Sequence, residues 1–323
     1  MKAIRFYKTG GPEVLQFEDV ALAAPAAHEV QLRHTAIGLN FIDTYQRSGL
    51  YPVPMPSGLG SEAAGVITAL GTGVKGFKIG DRVAYGSGPL GAYSEARNFP
   101  AQHLVKLPKS ISDEIAAGMM LKGMTARYLI RATYKVKRGE TILLHAAAGG
   151  VGLILSQWAK ALGANVIGIV GSDEKMAVAR AHGCAHVINS ATENVVARVR
   201  ELTSGKGVPV VYDGVGQATL ITSLDCLAPR GLLVSFGNAS GPVSALNLGW
   251  LASRGSLSVC RPTLGSYIST PADFKATAQD LIDIVKSGKV MIAVNQRYPL
   301  ADAAQAHRDL AARKTTGATV LLV

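Results

Sequence analysis

Cysteine is scarce in this 323-residue sequence: only Cys184, Cys226 and Cys260 occur, and they are widely spaced. That spacing excludes a disulfide framework and a CxxC metal site, and favours reduced structural thiols. Aromatic residues make up 6% of the chain, which argues against a carbohydrate platform or a base-stacking surface. No run of about 18 apolar residues is present to suggest a membrane span. The opening MKAIRFYKTG lacks the apolar core of a signal peptide, so the expected address is the cytoplasm. Acidic residues are outnumbered, with 22 Asp and Glu against 33 Lys and Arg, a net charge of +11. Such an excess suits nucleic acid, an acidic membrane surface or phosphorylated small molecules. The densest basic patch, Arg127, Arg131, Lys135, Lys137 and Arg138, reads as a solvated helix face with its following loop.

Glycine, by contrast, is plentiful at 36 residues, and 48% of the chain is hydrophobic, the composition of a turn-rich globular protein. The length exceeds a usual single core, so two domains are expected. From Met1 to about Lys122, short alternating segments such as Glu29 to Ala36 and Glu62 to Ala69 are separated by Gly and Pro turns. This pattern predicts a small antiparallel barrel or sandwich. After Gly123 the pattern changes to apolar strands near Thr141–His145, Asn165–Val170, His186–Ile188, Val208–Tyr212 and Gly231–Phe236. Helices are predicted to start near Val151, Asp173, Glu193 and Thr219, with Gly163 and Gly183 as C-terminal caps. Right-handed crossovers then give a doubly wound parallel sheet. A helix is expected over Pro271 to Lys286, and the apolar end Gly317 to Val323 needs a sheet to join. The first domain is the expected host, which makes that domain discontinuous and places a cofactor cleft between the two.

HAAAGGVG, His145 to Gly152, follows an apolar strand and opens a helix, the context required of a dinucleotide fingerprint, with Ala147 in the first glycine position. Gly149 lets the backbone approach a pyrophosphate, Gly152 lets helix and strand pack closely, and the amides at Gly150 and Val151 attract phosphate charge. The second strand ends in Val170, Gly171 and Ser172, without the acidic residue that takes ribose hydroxyls in NAD-preferring domains. Lys175 supplies a cation and Ser172 a hydroxyl donor for a 2′-phosphate, which points to NADP(H) over NAD(H).

The segment GETILLHAAAGGVGLILSQWAK, Gly139 to Lys160, resembles the signature of the zinc-free quinone oxidoreductase and zeta-crystallin branch of the medium-chain dehydrogenase/reductases. The resemblance spans the chain, including GLNFIDTYQRSGLY from Gly38, LGSEAAGVI from Leu59 and LVSFGNASG from Leu233. It implies an α/β fold: a doubly wound Rossmann domain over residues 124–262 and a discontinuous GroES-like β-barrel substrate domain over residues 1–123 and 263–323. Zinc-dependent relatives carry Cys at the position of Asn40 and His at that of Ser61, so the resemblance implies lost zinc ligands and no metal. It also implies that Asn40, Phe41, Asp43 and Tyr45 line the nicotinamide side, with Tyr51 toward the substrate and Tyr128 near the nicotinamide. Phe236, Gly237 and Asn238 are expected to meet the cofactor after the last central strand, and Arg313 to reach the adenosine phosphate. Ser190 departs from the tyrosine that often lies beside the 2′-phosphate.

The expected activity is reduction of a quinone by NADPH, with Tyr45, Tyr51 or Asn40 donating hydrogen bonds to the developing oxyanion. Two alternatives are an NADPH-dependent reductase of enal or enone double bonds and an NADPH-regulated RNA-binding protein. The apolar edge Gly255 to Cys260 is a candidate for sheet extension into a homodimer.

Overall fold

Alternating burial organises the first stretch of the chain in the computed structural model, which describes residues 1–323. Strands β1 (Lys2–Phe6), β2 (Gln16–Asp19), β3 (Glu29–Leu39), β4 (Ser57–Gly58), β5 (Ala63–Leu70), β6 (Arg82–Tyr85), β7 (Ala96–Pro100) and β8 (Val105–Lys106) come first. Helix α1 (Phe41–Ser48) follows β3, and helix α2 (Asp113–Tyr128) follows β8. The long β3 pairs antiparallel with both β5 and β7, so one strand anchors two neighbours. Its inward residues Val30, Leu32, Ile37 and Leu39 pack with Phe6, Tyr85 and Phe99 in one core, the burial that sets the register.

The middle of the chain alternates strand and helix. Strands β9 (Thr141–Leu144), β10 (Asn165–Val170), β11 (Cys184–Asn189), β12 (Val208–Asp213), β13 (Leu227–Ser235) and β14 (Ser258–Cys260) form a parallel sheet in the order β11-β10-β9-β12-β13-β14. Helices α3 (Gly150–Ala161), α4 (Asp173–Ala181), α5 (Val195–Leu202) and α6 (Leu220–Asp225) connect them, and α7 (Leu248–Ser253) and α8 (Leu264–Tyr267) complete this part. The order reverses between β9 and β12, the switch point of a doubly wound sheet, where the carboxyl ends of the strands form a crevice. Gly163 and Gly183, at φ 88 and 102, take the left-handed conformation expected after a helix. Several boundaries differ from the sequence reading, among them the start of β13, at Leu227 rather than Gly231 because Leu227 already pairs with Val208. Helix α5 starts at Val195 because Asn194 caps it, its side chain accepting from the Ala197 amide at 3.0 Å. Strand β11 is longer because it pairs with β10 from Val166 and Cys184 onward.

The chain then adds α9 (Pro271–Lys286), β15 (Val294–Pro299), α10 (Ala303–Ala311) and β16 (Ala318–Leu322). Strand β16 pairs antiparallel with β3 and parallel with β15, so the terminal segment joins the first sheet. One unit comprises residues 1–124, 268–286 and 292–323; the other comprises 125–267 and 287–291. Residues 287–291 go with the Rossmann unit. Gln157 on α3 explains this, donating to the Met291 carbonyl and accepting its amide, each at 2.9 Å. No helix is long and apolar enough to cross a membrane.

Candidate functional site

Of the residues expected to hold a dinucleotide, Gly149 to Gly152, Gly171, Ser172, Ser190 and Phe236 to Asn238 follow the carboxyl ends of Rossmann strands, whereas Phe41, Asp43, Tyr45 and Arg313 belong to the other unit. Helix α3 begins at Gly150 after Gly149 in extended backbone, and no side chain caps it. Its first-turn amides and dipole therefore form a ready anion site. At Gly152 an added Cβ would lie 2.4 Å from the Ala146 oxygen and 2.7 Å from the Ala147 oxygen, so only glycine permits this loop to lie against the helix. At Gly171, beyond β10, an added Cβ would meet nothing within 4 Å. An uncapped glycine-lined helix start, with open space at Gly171 and with Ser172 and Lys175 at the start of α4, fits a phosphorylated dinucleotide.

Two of these residues are already engaged. The Ser172 hydroxyl donates to Glu174, holding that carboxyl below its usual range. Ser190 donates its amide and its hydroxyl to the Val170 carbonyl at 2.9 and 3.0 Å, so it clips β11 to β10. Phe236 donates its amide to the Asp213 carbonyl at 2.8 Å, which sets the turn through Gly237 to the buried Asn238. Tyr128 is buried and stacks on Tyr267 with centroids 4.5 Å apart, and burial pushes its hydroxyl well above the usual range.

A buried polar cluster beneath the glycine loop escaped the sequence reading. The Asp213 carboxylate accepts the Val215 amide, the Thr219 hydroxyl and the Ser223 hydroxyl, each at 2.7 Å. Ser223 Oγ lies 3.0 Å from His145 Nε2. Because the Ser223 proton goes to Asp213, Nε2–H donates to Ser223. Burial pushes the His145 pKa down and keeps the ring neutral. His145 directly precedes the loop, so this cluster ties the loop's base to β12 and α6.

In the other unit the expected residues surround α1. Asn40 and Asp43 form a reciprocal capping box, with Asp43 Oδ2 accepting the Asn40 amide at 2.8 Å. The Asn40 side-chain NH2 donates to Glu62 Oε2 at 2.8 Å and to the Gly38 oxygen at 3.4 Å. Both N–H bonds are thereby directed inward, toward Glu62 and the Gly38 carbonyl. Glu62 is fully buried; it pairs with Lys122 Nζ at 2.8 Å and accepts the Leu121 amide at 2.8 Å. Neither Glu62 nor Lys122 stood out in the sequence, although Glu62 sits beside Ser61 in a segment that carried the resemblance. Phe41, Tyr45 and Tyr51 form an aromatic row, with centroids 5.7 Å apart for Phe41 and Tyr45 and 5.2 Å for Tyr45 and Tyr51. Arg313 is exposed in the turn after α10 with a left-handed φ of 59°.

Asp43 is fully buried, and burial pushes its pKa up to about 7. Its Oδ1 has no hydrogen-bond partner. Between the unfolded value near 3.8 and about 7, the folded chain holds a proton here that the unfolded chain releases. Stability therefore falls as pH rises across that window and stays lower above it. The Asp43→Asn variant removes this term, so its stability relative to wild type is expected to rise between pH 4.5 and 8 in paired urea titrations. A constant difference across that range would contradict the assignment.

Comparison with known proteins agrees with this geometry. The sequence matches the alcohol dehydrogenase GroES-like domain over residues 26–109 and the zinc-binding dehydrogenase family over residues 150–283. It is 59% identical over 322 residues to a quinone oxidoreductase of Pseudomonas aeruginosa, covering 99% of each chain. The structure of Escherichia coli quinone oxidoreductase complexed with NADPH superposes with a TM-score of 0.98 at 51% identity, covering 100% of both chains. A 2-haloacrylate reductase of a Burkholderia species is 46% identical, covering 98% of this chain and 97% of its own. The architecture is thus a GroES-like domain joined to a Rossmann domain, and the chain belongs to the quinone oxidoreductase family.

Proposed function

We propose that this protein is an NADPH-dependent oxidoreductase that reduces quinones without zinc. The observation that carries the reading is the uncapped glycine loop at α3, paired with a second strand that is followed by Gly171 and Ser172 rather than by a carboxylate. Gly149 to Gly152 would hold the pyrophosphate, Ser172 and Lys175 the 2′-phosphate, and Arg313 the adenosine phosphate. Gly171, Ser190, Phe236, Gly237, Asn238 and Tyr128 would line the remainder, with Phe41, Asp43 and Tyr45 toward the nicotinamide. When bound, the dinucleotide supplies two electrons and one proton from nicotinamide C4, and a second proton from water completes the hydroquinone. Tyr45 and Tyr51 would donate hydrogen bonds to the quinone oxygen, while the aromatic row excludes water around it. Asn40 would contribute shape and an anchored loop.

The zinc-free reading is supported by the donor set. An amide and a hydroxyl stand at positions 40 and 61, and the buried carboxylate nearby already carries the Lys122 ammonium, which opposes a dication. A cytoplasmic setting and a homodimer formed through the open edge of β14 are part of the same proposal. A monomer by light scattering at micromolar concentration would exclude the dimer. Lys175→Ala is expected to weaken NADPH about tenfold and NADH by less than about twofold, since one charge-assisted contact is lost. Equal losses for both cofactors would remove Lys175 from the 2′-phosphate.

A second reading is favoured by the haloacrylate-reducing relative: delivery of the same electrons to an activated carbon–carbon double bond. Turnover of a quinone and an enone at matched NADPH separates the two, and a large preference for the enone would reassign the acceptor. The net charge of +11 leaves RNA binding as a third reading. Absence of binding at low salt eliminates it.

A further inference from the structure

We propose that Tyr93 and His307 are positioning residues for acceptor reduction: they close a hydrogen-bond circuit that fixes the rotation of α1 and thereby aims the Phe41–Tyr45–Tyr51 row. The inference rests on reading that row as the acceptor's edge.

The circuit leaves α1 at Arg47 and re-enters it at Asp43, one turn away. Arg47 Nη1 lies 3.0 Å from His307 Nδ1 on α10. His307 Nε2 lies 3.1 Å from the Tyr93 hydroxyl oxygen, and that hydroxyl lies 2.8 Å from Asp43 Oδ2. All four side chains are buried, with Tyr93, His307 and Asp43 at 0% exposure and Arg47 at 7%. A guanidinium only donates, so Nδ1 must accept and Nε2 must carry the proton. Nε2–H then donates to Tyr93, and the Tyr93 proton is left for Asp43. The direction is single throughout, and burial beside Arg47 pushes the His307 pKa down to about 3, which keeps the ring neutral as the circuit requires.

Both ends are themselves fixed. Arg47 Nε donates to the Gly10 carbonyl at 3.2 Å, and the Tyr93 carbonyl accepts the Ile4 amide at 2.8 Å, which ties the tyrosine to β1. An eight-residue helix such as α1 is marginal in isolation, so its orientation depends on anchors of this kind. At about 100° per residue, Asp43 and Arg47 share one face while Phe41 and Tyr45 share the opposite one. Anchoring the first face sets the direction of the second. The circuit touches no expected phosphate contact, and Phe41, Asp43 and Tyr45 are read as lying toward the nicotinamide, so its loss is predicted to act where nicotinamide and acceptor meet while the phosphate contacts keep most of the NADPH affinity.

The test compares His307→Leu, His307→Gln and Tyr93→Phe in the full-length protein, well below their melting temperatures. Three readouts are used: quinone kcat and KM, NADPH affinity, and hydrogen exchange of the α1 amides. Leu fills the space without polar atoms, whereas the Gln amide can accept from Arg47 and donate to Tyr93. His307→Leu and Tyr93→Phe are expected to lower quinone kcat/KM at least about tenfold, to leave the NADPH dissociation constant within about twofold, and to speed α1 exchange. His307→Gln is expected to recover most of the loss. Equal impairment of His307→Gln and His307→Leu would overturn the proposal, as would unchanged exchange in Tyr93→Phe, which removes only a hydroxyl and preserves packing. Absence of quinone turnover in the wild type would instead defeat the acceptor reading, and the exchange data would still decide whether the circuit orients α1.

Discussion

Replacement of Gly152 by alanine is expected to weaken NADPH binding by at least about 100-fold, roughly 3 kcal/mol. The added methyl would sit 2.4 and 2.7 Å from two backbone oxygens of the loop, Ala146 and Ala147, and 2.8 Å from the Ala147 carbonyl carbon. No flexible side chain is available to yield, so either the loop or the start of α3 must move. The loop cannot shift freely, because Ala147 donates its amide to the Ile169 carbonyl at 3.0 Å and the His145–Ser223–Asp213 cluster holds its base. The displaced element is therefore α3, whose amides would bind the pyrophosphate. Quenching of protein fluorescence by NADPH measures the effect, and near-wild-type affinity in Gly152→Ala would show that the loop does not hold the dinucleotide.

Loss of Lys122 is expected to produce the largest stability defect. Glu62 and Lys122 have side chains 0% and 7% exposed and form a 2.8 Å ion pair. Removing the ammonium leaves a buried carboxylate whose remaining donors are the Leu121 amide and the Asn40 side chain, and such orphaned charges cost about 3–5 kcal/mol. Lys122→Met should therefore lower the denaturant midpoint sharply. The double variant Glu62→Gln with Lys122→Met should recover most of that loss, because a neutral amide no longer needs the cation. If the single variant proves as stable as wild type, or the double variant is no better than the single, the pair does not act as a compensated buried charge. Recovery of stability need not restore activity, since Glu62 also orients the Asn40 amide at the head of α1.

Elements with strong local signals were readable from the sequence. Strand β10 and helix α9 fall at the positions expected, the latter because Pro271 opens it and Thr270 Oγ1 accepts the Asp273 amide at 3.1 Å while donating to its carboxylate at 2.6 Å. The glycine loop was equally legible, since its spacing is fixed by contacts within a few residues. What escaped were groups brought together by topology. Lys122 meets Glu62 across 60 positions, and His307 meets Tyr93 across 214, so no periodicity in either segment marks the pair. Asn40 illustrates the consequence: its residue type permits donation to a substrate, and only Glu62 and the Gly38 carbonyl reveal that both N–H bonds are directed inward. Helix α5 was misplaced by two residues because Glu193 and Asn194 both suit a helix start, and the capping geometry selects Asn194.

The central claim is tested most directly by titrating the purified protein with NADPH and NADH in parallel, then following oxidation of the tighter cofactor with a panel of quinones. The account predicts NADPH tighter by about tenfold or more, together with quinone-dependent turnover. Tighter NADH, or NADPH binding with no quinone-dependent oxidation, would contradict it.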